Sequence, residues 1–195
     1  MVEDNKKRAV VDKWKKKRQF KLVAPKYFGN TEFGETVGAK PELLIGRLVK
    51  INMSILTNQV KSRNTDALLR IAKVEGSNAQ TDFAGYTLKT SSLRRMFRRR
   101  TSKIEIVDTI ESKDEQKIKI KFVAVTFGKQ EVSKTKLIRK ELENYIKKIA
   151  LENSTEKFLE LCMNTKELFA EILTKVKKIA PTSLIEIEKV KVIYK

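Results

Sequence analysis

Residues 103–127 read KIEIVDTIESKDEQKIKIKFVAVTF, and the fold turns on them. From Lys103 to Ile110, Ile104 and Ile106 alternate with Glu105 and Val107, the period of a half-buried strand. The polar run Ser112 to Glu115 is a turn, although it lacks glycine. Lys117, Lys119 and Lys121 then alternate with Ile118, Ile120 and Phe122. That spacing puts three lysines on one face of a strand and three apolar groups on the other. The strand continues through Val123, Ala124, Val125 and Phe127, where both faces are predicted buried.

Upstream, Ala67 to Val74 and Ala79 to Tyr86 flank Glu75-Gly-Ser-Asn78, a second hairpin signal. Arg47 to Ile55 alternates as a further strand. Glycines 29, 34 and 38 with Pro41 predict an irregular, turn-rich stretch. Phe20, Leu22 and Ala24 form a short strand ended by Pro25. Downstream, residues 131–180 turn helical. One stripe runs Leu137, Ile138, Leu142, Tyr145, Ile146, Ile149, and another runs Leu168, Phe169, Ile172, Leu173, Val176, Ile179. Pro181 stops the run, and Leu184 to Tyr194 is strand-like. Its alternation slips near Glu188-Lys189, the mark of a bulge or a change of buried face. This last strand returns to the sheet or pairs with the first.

Clustered strands followed by clustered helices predict an α+β fold. Its sheet is mostly antiparallel and twisted, with a basic helix between hairpins, a C-terminal helical segment and a closing strand. Residues 1–19 are expected to be a disordered basic tail and 20–195 a single domain.

Between the hairpins stands Leu93-Arg-Arg-Met-Phe-Arg-Arg-Arg100. Five arginines (Arg94, Arg95, Arg98, Arg99, Arg100) fall in seven positions, while Leu93, Met96 and Phe97 recur at i, i+3, i+4. A helix over Ser91 to Arg100, capped by Ser91 or Ser92, would pin this cationic ridge to a core. Guanidinium groups fork onto phosphate oxygens, so the ridge asks for a dense polyanion. Lys103 extends it. Two more clusters are Lys134, Lys136, Arg139 and Lys140, opening the long helix, and Lys15, Lys16, Lys17 and Arg18 in the tail. Trp14 either stacks on an exposed base or anchors the tail to its own domain. The strand lysines 117–121 read as a solvated face.

The chain holds 43 Lys+Arg against 24 Asp+Glu, a net charge of +19, which suits a nucleic-acid binder. Aromatics make up only 7% and show no base-stacking pattern, so recognition of folded RNA by shape and backbone is favoured. No run of 18 apolar residues exists, and the N-terminus lacks the apolar middle of a signal peptide, so a cytoplasmic protein with no membrane partner is expected. There is no histidine, and the one cysteine, Cys162, lies in an apolar helical stripe as a buried thiol. No Walker loop, GxGxxG or nucleophile elbow occurs; neither enzyme activity nor a cofactor or metal is expected. Glu186 and Glu188 would share a strand face and raise a magnesium nuclease as a rival, but a two-metal site needs more convergent carboxylates. A free-standing DNA- or chromatin-binding protein is the other alternative.

The chain resembles the small-subunit ribosomal protein family shared by archaea and eukaryotes, the S-one-e family (S-three-a-like in animals), in its archaeal form. The carrying segments are Phe20-Lys-Leu-Val-Ala-Pro-Lys-Tyr-Phe-Gly29, Gly34-Glu-Thr, Ile45-Gly-Arg-Leu-Val49, Thr81-Asp-Phe-Ala-Gly-Tyr-Thr-Leu88, Leu93 to Ile104, Ile138-Arg-Lys140 and Lys189-Val-Lys-Val-Ile193. They run co-linearly from about residue 13, and the tail before Trp14 matches poorly. The resemblance implies a structural role on the platform near the messenger-RNA exit. It also implies small-subunit ribosomal RNA, neighbouring ribosomal proteins and mRNA at the exit channel as partners. It carries phosphate contact onto Arg94, Arg95, Arg98, Arg99, Arg100 and Lys103, and more weakly onto Arg139 and Lys140.

Overall fold

The computed structural model describes residues 17–194, so Lys15 and Lys16 lie outside the described residues, as does Trp14. The chain divides into two compact units. The first combines residues 17–47 with Arg70–Asp82. In it β1 (Arg18–Val23) pairs antiparallel with β2 (Glu32–Gly38) and parallel with the start of β5 (Asn78–Leu88). Phe20, Leu22, Ala24 and Leu44 fill its core. This strand therefore begins at Arg18 rather than Phe20.

The sequence predicts an irregular stretch where β2 forms. Gly34 and Gly38 sit in register opposite Leu22 and Arg18, so they are strand positions rather than turns. Gly38 has a packing reason: a Cβ there would lie 2.8 Å from Cδ2 of the fully buried Leu44.

The second unit holds Leu48–Leu69 and the chain from Phe83 onward. Its first strand, β3 (Leu48–Asn52), is shorter than the predicted Arg47–Ile55. Asn52 ends it by accepting the Ser54 N–H at 3.0 Å, which caps α1 (Met53–Thr57). β4 (Thr65–Glu75) turns through Gly76 into β5, as the hairpin signal predicts. After α2 (Thr90–Met96) comes the hairpin of β6 (Lys103–Glu111) and β7 (Lys117–Thr126). Its register is unbroken from Lys103 opposite Val125 to Glu111 opposite Lys117. β8 (Thr182–Ile193) inserts antiparallel between β5 and β7. Its register jumps between Lys121–Lys189 and Phe122–Ile187, leaving Glu188 as the extra residue where the alternation slips.

α3 (Val132–Glu152), α4 (Thr155–Met163), α5 (Thr165–Leu168) and α6 (Ala170–Ile179) follow β7. Ile138, Leu142, Ile146 and Ala150 of α3 are buried with Phe158, Cys162, Phe169, Ile172 and Val176. Opposite them lie Ile106, Ile118, Ile120, Phe122 and Val190 of the sheet, also buried. Burial pushes the Cys162 thiol well above its ordinary pKa, the inert core thiol the sequence predicts. Two apolar residues depart from expectation. Phe127 is 67% exposed because β7 ends at Thr126, and Leu137 is 54% exposed because it falls about 100° from Ile138 on the helix.

The β6–β7 turn solves its missing glycine with Glu115, which takes φ +58. The turn is docked: Asp114 Oδ2 accepts the Thr155 N–H at 2.7 Å, and the Ser112 and Thr155 hydroxyls lie 2.9 Å apart. A side chain in the left-handed region costs about 1–2 kcal/mol. Glu115→Gly is therefore expected to raise stability by roughly 0.5–1 kcal/mol in urea unfolding, after the extra chain entropy of glycine is subtracted. An unchanged or lower midpoint would count against strain at this position.

Candidate nucleic-acid interface

The cationic helix stops short of where its apolar spacing suggests. α2 ends at Met96, and Phe97 is extended at φ −95, ψ 122. Lys89, not Ser91 or Ser92, is the N-cap. Only Arg94 and Arg95 are helical, in the last turn, where cations complement the negative end of the helix dipole. Arg98, Arg99 and Arg100 occupy the turn into β6, with Arg100 at φ +66. The Thr101 hydroxyl donates to the Arg98 carbonyl at 2.8 Å and steadies this turn. The apolar anchor holds: Leu93 is buried, and Met96 and Phe97 are half-buried.

All five arginines are exposed. Among the described residues, none has a carboxylate within 4 Å, and the one side-chain hydrogen bond is from Arg95 to Asn64 Oδ1 at 3.4 Å. Lys103 differs. Its ammonium lies 4.5 Å from the centre of the Phe97 ring and is paired to Glu105. The bond from Lys103 holds the Glu105 carboxyl below its ordinary range.

The hairpin register sets what lies beside the arginine turn. Lys103 opposes Val125, so the start of β6 and the end of β7 share one end of the sheet. Ser102 and the fully buried Thr126 clasp there: the Thr126 N–H donates to the Ser102 carbonyl at 3.1 Å, and the Ser102 N–H to Thr126 Oγ1 at 3.2 Å. Ser102 Oγ also accepts the Gln130 N–H at 3.0 Å, which ties the loop before α3 to the residue that follows the arginine turn. The positive N-terminus of α3 is thereby brought to that end. Its first turn has no acidic residue. Lys134, Lys136, Arg139 and Lys140 are all exposed on this part of α3, with Lys134 3.8 Å from Glu131. Lys136 and Lys140 stand one turn apart on its outward side. Glu131, the N-cap of α3, sets one carboxylate beside this cluster. Lys129, exposed on the tied loop, completes the set. Sequence reading misses it because a lone lysine after Gly128 belongs to no run.

The tail cluster is only partly in view. Lys17 and Arg18 are exposed at the entry to β1, in the first unit, and Arg18 pairs in register with Gly38. The two candidate metal carboxylates are separately engaged. Glu188 is 2.9 Å from Lys121, while Glu186 accepts the Thr165 hydroxyl at 3.1 Å. Burial raises the Glu186 carboxyl above its ordinary range. Among the described residues, no three His, Cys, Asp or Glu side chains gather as a metal site, and no helix is long and apolar enough to cross a membrane.

A protein-family model described as the Ribosomal S3Ae family matches residues 5–195, reaching further into the basic tail than the segments quoted above. The chain is 33% identical to the small ribosomal subunit protein eS1 of Methanothermobacter thermautotrophicus, over 96% of this chain and 95% of that one. It is 33% identical to the eS1 protein of Methanobrevibacter smithii, over 99% and 100%. With the eS1 protein of Archaeoglobus fulgidus it shares 34% identity, over 94% and 88%.

Proposed function

Because this chain belongs to the ribosomal S3Ae family, we propose that it is a structural, non-catalytic protein of the small ribosomal subunit in the cytoplasm. It clamps folded ribosomal RNA through arginine and lysine contacts to phosphate, and it sits on the platform near the messenger-RNA exit beside other ribosomal proteins. The observation that carries the RNA contact is the group of five exposed arginines, none with a carboxylate partner among the described residues, followed by Ser102, which is tied to the loop that leads into α3 and its lysines. Guanidinium forks grip phosphate oxygens in pairs, and the N–H groups of a helix start donate to a further one. The Thr101–Arg98 bond and the Ser102–Thr126 clasp hold the backbone of the arginine turn.

Co-sedimentation with small ribosomal subunits tests the reading. The chain should remain with purified subunits at moderate salt and dissociate steeply as salt rises, because each phosphate contact releases counterions. A chain that leaves the subunit at low salt, yet binds duplex DNA tightly, would instead be a free-standing DNA-binding protein.

A further inference from the structure

The strand lysines look like a solvated face in the sequence, but the register of the sheet gives them a different character. On the exposed side of β7 and β8, Lys119 stands directly opposite Lys191, and Lys121 directly opposite Lys189. Residues paired this way in an antiparallel ladder have side chains about 4.5–5.5 Å apart at Cβ, and like charges there destabilise the sheet. The neighbouring lysines are relieved. Lys117 is 3.5 Å from Glu111, and Lys121 lies 2.9 Å from Glu188 and 3.7 Å from Glu105. Lys119, Lys189 and Lys191 have no carboxylate within 4 Å among the described residues.

On the far side of Lys191 lies a buried glycine. Gly85 of β5 is its partner in register, and Thr87 is the partner of Lys189. Gly85 has φ +136, and a Cβ built on it would meet the Val190 carbonyl oxygen at 2.2 Å, so the backbone admits no side chain at that point. On the other side of Lys119 is Thr109 of β6. The row therefore runs threonine, lysine, lysine, buried glycine across four strands. Glu105 and Glu188, held by Lys121, stand between this patch and the arginine turn.

We propose that this sheet face is a second, separate docking surface for the phosphate backbone of RNA, with Lys119, Lys189 and Lys191 as its contacts. The proposal rests on the ribosomal reading above. A polyanion removes the repulsion that the register builds in. Protein partners fit the face less well, because interface cores are depleted in lysine and depend on aromatic or arginine anchors that this row lacks.

The test is the salt dependence of binding to small-subunit ribosomal RNA, measured with the full chain and with a Lys119→Gln, Lys189→Gln, Lys191→Gln variant. Loss of three phosphate contacts should reduce the slope of log affinity against log salt by about 2 to 3. The melting temperature should hold or rise, since repulsion is relieved. Replacing the same three residues by arginine should restore the slope; it also serves as the comparison if the glutamine variant folds poorly. An unchanged slope in the glutamine variant, beside a wild-type chain that binds, overturns the sheet-face proposal alone. Normal RNA binding with failure to enter the subunit also overturns it, by pointing to an acidic protein neighbour. A wild-type chain that ignores the RNA ends the ribosomal reading itself.

Discussion

Replacing Arg94, Arg95, Arg98 and Arg99 by glutamine is expected to weaken binding to small-subunit RNA by on the order of a hundred- to a thousandfold while leaving the fold intact. A cation near an anionic surface contributes about 1 kcal/mol at ordinary ionic strength. Four of them therefore supply on the order of 4 kcal/mol at most, which is about a thousandfold in affinity. The fold survives because none of the four is buried and none reaches a carboxylate within 4 Å among the described residues. What changes locally is the dipole term of Arg94 and Arg95 at the end of α2, about 0.3–1 kcal/mol each. Leu93, Met96 and Phe97 still anchor the segment. Circular dichroism and thermal melting verify the fold; a filter-binding titration and incorporation into reconstituted subunits read the function. A folded variant that incorporates normally would show that the arginine turn does not hold the chain in place.

How far such a site is legible depends on how local its causes are. The β6–β7 hairpin is legible because the alternation of Ile104, Ile106, Ile118, Ile120 and Phe122 is a direct consequence of one buried face. The bulge at Glu188 is legible for the same reason, since the change of parity between Ile187 and Val190 must be absorbed somewhere. The end of α2 is not. Leu93, Met96 and Phe97 keep helical spacing to the last, but a longer helix would stack Arg94 on Arg98 and Arg95 on Arg99, like charges at i,i+4. The chain must also reverse into β6 within a few residues, so Phe97 turns extended instead. β2 is hidden by its glycines; the reason for Gly38 is the side chain of Leu44, six residues along. The meeting of the arginine turn with α3 depends on Ser102, Thr126 and Gln130, joined by hydrogen bonds over 24 and 28 residues. No periodicity announces a polar clasp of that kind. The lysine ladder is hidden likewise: Lys119 and Lys191 face each other only because β8 returns to the sheet in one register.

The second large effect concerns the core that holds these surfaces in place. Phe122 is fully buried, with Ile106 as its register partner on β6, Ile187 on β8, and the Phe169 ring 6.2 Å away at the α5–α6 junction. It is thus the point where three strands and the helical layer meet. Phe122→Ala removes the ring and leaves a cavity that strands held on both sides cannot close, at a cost of about 3–5 kcal/mol. Against a native stability of about 5–15 kcal/mol this is roughly a fifth or more of the total. For a domain of this size the melting temperature should fall by roughly 6–20 °C. Leu137→Ala is the matched comparison. Its apolar spacing predicts a core position of the same kind, yet it is 54% exposed, so its loss should change stability by no more than about 0.5 kcal/mol. If the two variants melt together, the helices do not pack on the sheet through Phe122. If they separate as expected, the layer that fixes the arginine turn and the lysine ladder is the one centred on that ring, and both proposed RNA surfaces depend on it.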